Sequence, residues 1–434
     1  MDSTENLLTR DVSTIWHPFT QHGLGRSLLP ITEGKGTRLR DSSGREYLDM
    51  ISSWWVNLHG HGRPELAEAV ADQIRQLDHV QFAGATHEPA VRLAEQLLEK
   101  ANLAGRAKVF YSDNGSTAVE ASLKIAYQHW VNKGTPRRLF ATLRGAYHGD
   151  TVGAMSVGQS SGFFDAYGSL LFETINLPVP LVWNGFANEQ GTNEALLQIE
   201  SLLEKSENLI AGLIVEPLVQ GAGGMRFHSA EFLDRLCSLF QQRSIPVIFD
   251  EVMTGFGRTG SFFAFQQTSA IPDLICLSKG ITGGILPLAA TIASNRLFDS
   301  FLGSDFSTAL AHGHSYTANP VSCAAALCSL ELHDRTNSLE QVARINRRMK
   351  QHLELLASHP KVENSRLLGG IAAFDLVTDD SSYSAGAGRK LAAKAQEQGV
   401  LIRPLGNVIY LMPPYCTSDE EVDMAFRVIA NCLG

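Results

Sequence analysis

Cysteine is scarce in this chain of 434 residues: six, at 237, 276, 323, 328, 416 and 432, with no Cys-x-x-Cys pair. Thiols so few and so scattered in a chain of this size do not suit a disulfide framework. A structural zinc site would want tighter clusters of Cys and His. The expectation is buried, reduced thiols in a cytoplasmic protein. Long hydrophobic runs are missing too. The most apolar stretches, 285–293 and 321–330, are too short or too polar to span a bilayer, and the opening MDSTENLLTR lacks the apolar core of a secretory signal. Basic runs are absent: 36 Lys and Arg stand against 45 Asp and Glu, a net charge of −9, so neither nucleic acid nor an anionic membrane is an expected partner. Disorder is expected only over the first ~10 residues. Elsewhere, 44% hydrophobic and 19% charged residues leave ample apolar surface to bury.

The length calls for two domains, or one large α/β domain with an appendage. Through the middle, amphipathic segments alternate with short β-branched runs, the pattern of βαβ units on a mostly parallel sheet. Expected strands are 108–111, 138–142, 210–216, 246–249 and 273–277. Polar residues gather at their carboxyl ends, the edge where open α/β sheets bind ligands. The Asn- and Gly-rich segment 183–193 reads as a surface loop. Residues 31–50 alternate around a Ser-Ser-Gly turn and suggest a hairpin. Near the C-terminus, helices are expected at 340–358 and around 385–398, and strands near 371–376 and 408–412. The expected architecture is a large domain on a mostly parallel central sheet (61–330), with a smaller α+β domain built from both termini (1–60 and 331–434).

Three motifs carry chemistry. In YSDNGSTAVE (111–120) a strand meets a Gly/Ser turn and then a helix with Val119, Leu123, Ala126 and Trp130 on one face. Free backbone N–H groups and the helix dipole make such a turn an anion site, with Gly115 allowing close approach and Ser116 adding a hydroxyl. An ordinary Ser/Thr cap is the commoner meaning. In IPVIFDEVMTGFGRTG (245–260) an apolar strand delivers Asp250 at its end, where a carboxylate can pair with a protonated ring nitrogen or simply cap the next loop. In PDLICLSKGITGG (272–284) Lys279 ends an apolar strand. Lysines so placed can form imines with carbonyl compounds, although most snorkel to the surface.

Together these motifs decide. The order of cradle, YHGD (147–150), Asp250 and then Lys279 at 279 − 250 = 29 residues resembles the class III aminotransferases, pyridoxal 5′-phosphate (PLP) enzymes of fold type I. The resemblance runs from about Trp16 to Tyr415. IWHPFT (15–20), SSWW (52–55), VQGAGGM (219–225), RPLG (403–406) and YLMPPY (410–415) resemble more narrowly the branch that aminates 8-amino-7-oxononanoate in biotin biosynthesis, with S-adenosylmethionine as donor.

The resemblance implies a role for each matching residue. Lys279 forms the imine and shuttles the proton, Asp250 pairs with the ring nitrogen, and Gly115 and Ser116 bind the phosphate. Tyr147 covers the ring and shapes the substrate pocket. Arg403 grips a substrate carboxylate, for which its fork is suited. Trp54 and Trp55 wall the pocket, joined by Tyr410. Neighbours on a strand face opposite ways, so Trp54 is favoured for the pocket and Trp55 for packing. A homodimer is implied, with its active site at the interface: Ser315, where the family has Thr, would reach the phosphate across it, beside His314 for the cofactor and Gly313 for the substrate. Phe19 stands where the family often has Tyr. Both departures also occur in relatives that use lysine as donor, whereas Trp54 and Tyr410 match the S-adenosylmethionine users. Another ω-amino-acid transaminase is a further alternative. Glu216 reads equally as a salt-bridge partner or a support for the site, Arg258 as a partner for a nearby Asp or Glu, and His17, His59, His61 and His148 as structural histidines.

Overall fold

A computed structural model describes residues 3–25, 28–158, 163–379 and 386–434, with side chains from residue 7 onward. Its central sheet has seven strands: β1 (Ala107–Ser112), β2 (Leu139–Leu143), β3 (Thr174–Leu177), β4 (Ile210–Val215), β5 (Val247–Asp250), β6 (Leu274–Leu277) and β7 (Ala289–Ser294). They lie in the order β1-β7-β6-β5-β4-β2-β3. The run from β6 to β3 is parallel, and β7 pairs antiparallel with both its neighbours.

Alternation explains why the central strands read as unbroken apolar runs. Ile214, Ile248, Leu274 and Cys276 pack on helix Gly115–Asn132 through Val119, Leu123 and Ala126. The residues between them, Leu213, Val215, Val247, Phe249 and Ile275, face the larger core with Leu196 and Ile199 of helix Glu189–Ser206 and Phe232 and Leu236 of helix Ala230–Gln241. With both faces covered, neither parity can be polar. All five expected strands form, with ends within one residue of expectation. β3 and β7 go beyond the expected strands; β7 overlaps the end of the apolar stretch 285–293.

The two ends of the chain share a second core. Strands Ile31–Lys35, Arg38–Asp41 and Glu46–Asp49 form an antiparallel meander, to which Val400–Leu401 adds in parallel. The expected hairpin is thus three strands, with Asp41 accepting the N–H groups of Ser43 and Arg45 at the turn. Strands Val362–Leu368, Ile371–Leu376 and Val408–Leu411 form another sheet. Leu48 and Met50 bury against Ile345, Phe374, Ile409 and Phe426. Helices Ser338–Leu356, Gly386–Glu397 and Asp419–Leu433 complete this unit; Ala385 lies outside the described residues.

Three expectations need correction. Segment 183–193 is not a loop: Val182–Trp183 and Phe186–Ala187 pair as a hairpin, and a helix starts at Glu189, capped by Asn188. The N-terminus forms a helix over Ser3–Thr14. All six cysteines are free, but Cys328 is only half-buried and Cys416 is exposed. Among the described residues no helix is long and apolar enough to cross a membrane.

Candidate active site

β5 and β6 are parallel neighbours with Asp250 opposite Cys276, so Asp250 and Lys279 emerge at the same sheet edge. Helix Gly115–Asn132 starts three residues beyond β1 at that edge. Gly115, Ser116, Tyr147, Asp250 and Lys279 line one cavity of about 600 Å³. A larger groove of about 1060 Å³ between helices Pro64–Gln76, Glu88–Lys100 and Pro320–Arg335 lies away from these strand ends and carries surface ion pairs such as Lys100–Asp334.

Lys279 has φ 47°, a left-handed backbone that costs a non-glycine residue roughly 1–3 kcal/mol. The Ser278 hydroxyl donates to the Leu288 carbonyl (2.8 Å) and holds the turn. Burial lowers the affinity of the Lys279 amine for its proton, opposed by the nearby charges of Asp250, Glu216 and Asp150. Its Nζ lies 5.3 Å from the centre of the Trp55 ring.

Asp250 does not stand alone. His148, fully buried, places Nδ1 2.7 Å from Asp250 Oδ2, and the Val252 N–H donates to Oδ1 (3.1 Å). Among the described residues the His148 Nε2 has no hydrogen-bond partner. Two backbone groups fix Glu216, since the N–H groups of Tyr147 (3.0 Å) and Gly221 (2.8 Å) donate to its two oxygens. Burial pushes its carboxyl up to about 7. The Tyr147 hydroxyl donates to Asp150 (3.0 Å), and its ring stacks on Phe164.

The helix start is built to leave its first N–H groups open. Asn114 caps it, accepting from the Thr117 N–H (3.1 Å), while the Thr117 hydroxyl accepts from the Asn114 N–H (3.0 Å). A Cβ on Gly115 would lie 2.7 Å from Val252 Cγ1. Gly149 (φ +129°) passes so close to Ser116 that a Cβ there would meet its Oγ at 2.1 Å. An anion-ready helix start, a depressed lysine and a propped carboxylate on one cavity fit a phosphorylated aldehyde with a basic ring nitrogen, the chemistry of PLP.

The other expected residues lie in several places around the cavity or off it. Ser52–Trp55 is no strand: φ is 48°, 51°, 91° and 73° along the four residues, so the alternation argument fails. Trp55, not Trp54, lines the Lys279 cavity. Trp54 instead carries the Arg403 guanidinium 3.8 Å above its ring centre and meets Phe19 edge-on at 5.7 Å. Tyr410 is only 1% exposed and sits behind the wall, its hydroxyl accepting from Trp55 Nε1 (2.9 Å). Gly313 and Ser315 are exposed and do not line the chain's own cavity. His314 approaches the cavity residue Asp113 at 3.1 Å. Arg258 pairs with no carboxylate among the described residues; its guanidinium donates to three carbonyls, of Pro413, Trp55 and Asn57. The support that His148 gives Asp250 leaves no local signal, since the two lie 102 residues apart.

Residues 19–433 match the aminotransferase class-III family, and the chain belongs to it. It is a PLP-dependent aminotransferase of fold type I. It is 48% identical to the adenosylmethionine-8-amino-7-oxononanoate aminotransferase of Synechococcus elongatus, over 96% of this chain and 98% of that protein. The crystal structure of the aminotransferase of the same name from Methanocaldococcus jannaschii is similar at a TM-score of 0.90 and 35% identity, covering 98% of this chain and 99% of that one. A PLP-bound amine transaminase from an uncultivated Pseudomonas species is similar at a TM-score of 0.90 and 32% identity, covering 97% and 98%.

Proposed function

We propose that this enzyme moves the amino group of S-adenosylmethionine to the 7-keto carbon of 8-amino-7-oxononanoate, giving 7,8-diaminononanoate for biotin biosynthesis. The observation that carries the reading is Lys279 and Asp250 on neighbouring strand ends, facing one cavity with an open helix start. The 48% identity over nearly the whole chain supports the substrate pair.

PLP, when bound, supplies the electron sink that stabilises charge on the substrate carbon. The chain does the rest. Gly115 and Ser116 hold the phosphate. Asp250, braced by His148, would hold the proton on a ring nitrogen, and Glu216 fixes the backbone of Tyr147. The Lys279 Nζ would hold the cofactor in this cavity. Desolvation favours its neutral form, so its Nζ can take and hold the proton from the donor's α-carbon. Trp55 walls the pocket, while Arg403, parked on Trp54 beside Phe19, takes the substrate carboxylate. Gly313 and Ser315 act across a homodimer interface, which their exposure away from the chain's own cavity supports, while His314 serves the cofactor beside the chain's own Asp113. Tyr410 acts on the substrate only through Trp55. Two units, 61–330 and 1–60 with 331–434, and a cytoplasmic location belong to the same proposal.

A donor panel tests it: holoenzyme, 8-amino-7-oxononanoate and either S-adenosylmethionine or lysine, with the diamine measured by mass spectrometry. Turnover with S-adenosylmethionine is expected. Turnover with lysine alone would reassign the donor, and failure with both would refute the substrate.

A further inference from the structure

Arg258 is the largest fully buried side chain among the described residues, and its place asks for a reason. Burying a guanidinium without a carboxylate is costly unless its donors are satisfied. Here Nη1 donates to the Pro413 carbonyl at 2.9 Å, and Nη2 to the carbonyls of Asn57 at 3.1 Å and Trp55 at 3.3 Å, while the buried Nε has no partner among the described residues. The guanidinium carbon lies 5.1 Å from the centre of the Tyr415 ring.

The segment it grips is the strained one. Four consecutive non-glycine residues, Ser52 to Trp55, hold positive φ. At roughly 1–3 kcal/mol each, such a run persists only where its surroundings over-determine it. From one side Asp49 accepts the N–H groups of Ile51 and Ser53. From the other, the Ser52 hydroxyl donates to Met412, the Tyr415 N–H donates to Leu58, and Arg258 ties Trp55 and Asn57 to Pro413. Of these, only Arg258 holds the backbone of Trp55 itself to the C-terminal segment. The ring that this backbone carries faces the Lys279 amine at 5.3 Å.

We propose that Arg258 is a positioning residue for Lys279: it clamps the left-handed Ser52–Trp55 run so that the Trp55 ring seals the wall beside the amine and keeps water from it. The inference rests on Lys279 being the reacting amine, but it is tested without turnover, so failure of the donor panel would leave it standing. A released ring has two opposed effects. Losing the ring's attraction for a cation would favour the neutral amine, by about 1 kcal/mol at this separation. Admitting water would favour the ammonium, and since burial is the dominant influence on this lysine, water entry wins.

The test is the pH profile of Lys279 acetylation by acetic anhydride, read by mass spectrometry, in the full chain freed of cofactor. The native chain, R258K, W55F and the double variant are compared. R258K keeps the charge and loses the fork. R258K and W55F should each move the midpoint up by about half to one pH unit, an acetylation rate near neutrality about three- to tenfold lower. The double variant should move it no further than the larger single shift. An unmoved midpoint in R258K, or shifts that add, would overturn the proposal; a merely structural role would lower the melting temperature and leave the midpoint in place. If R258K loses its cooperative melt, R258Q carries the same comparison, and persistence of its shift in the W55F background would overturn the proposal in favour of a direct charge effect.

Discussion

Replacing Gly149 by alanine should cut PLP affinity while leaving the chain folded. The new Cβ would sit 2.1 Å from Ser116 Oγ, 2.7 Å from its Cβ and 3.0 Å from its Cα, at a backbone φ of +129°. Relief requires the Ser116 hydroxyl to rotate away and the two backbones to part, and that hydroxyl accepts the Asp150 N–H at 3.2 Å. Losing this bond costs about 1 kcal/mol, and losing the hydroxyl's bond to a charged phosphate about 1.5–3 kcal/mol. Only the second loss is specific to the bound state, so affinity should fall about 10- to 100-fold at 1.4 kcal/mol per decade. The strained backbone costs stability separately, about 1–3 kcal/mol. Titrating the cofactor-free protein with PLP by tryptophan fluorescence reads the affinity, and urea unfolding reads the stability. In an S116G background the affinity penalty should shrink, because the overlapping side chain is gone. Unchanged PLP affinity in folded G149A would refute the assignment of Ser116 to the phosphate.

Other outcomes follow from the same geometry. Gly115→Ala drives a methyl to 2.7 Å from Val252 Cγ1 and should weaken PLP binding at least tenfold, with V252A restoring most of it; no rescue would mean that the helix start is not the cradle. Glu216 and Glu251 are both raised by burial to about 7, so the folded chain holds protons that the unfolded chain has released above the ordinary 4.5. Their contribution is full below about 4.5 and is lost as pH rises through about 7, by at most about 1.4 kcal/mol per group per unit. Urea unfolding of native chain and E216Q between pH 5 and 7 checks this: the slope should flatten in the variant, and equal slopes would contradict a raised Glu216. H148A should lower kcat with PLP still bound and shift the visible spectrum of the holoenzyme; an unshifted spectrum would deny His148 its hold on Asp250.

The parallel strands were legible because a sheet covered on both faces leaves no polar parity, so β4, β5 and β6 read as apolar runs ended by Glu216, Asp250 and Lys279. β7 was not: Ala289, Ala290 and Ala293 have little strand preference, and the antiparallel turn back after Lys279 breaks the βαβ rhythm. Trp55 rather than Trp54 reaches the Lys279 cavity because Ser52–Trp55 follows no two-residue period: Asp49 and Arg258 hold this stretch at positive φ. Residues that hold other residues stayed silent, His148 behind Asp250 and Tyr410 behind Trp55, since their partners are fixed by the fold and not by spacing.

The most direct measurement concerns Lys279. Incubated with PLP, the native chain should show an absorbance band near ~420 nm, and borohydride should abolish it while fixing the cofactor to the peptide that contains Lys279. K279A, folded, should show neither. A band retained in K279A, or a label recovered on any other lysine, would contradict the account at its centre.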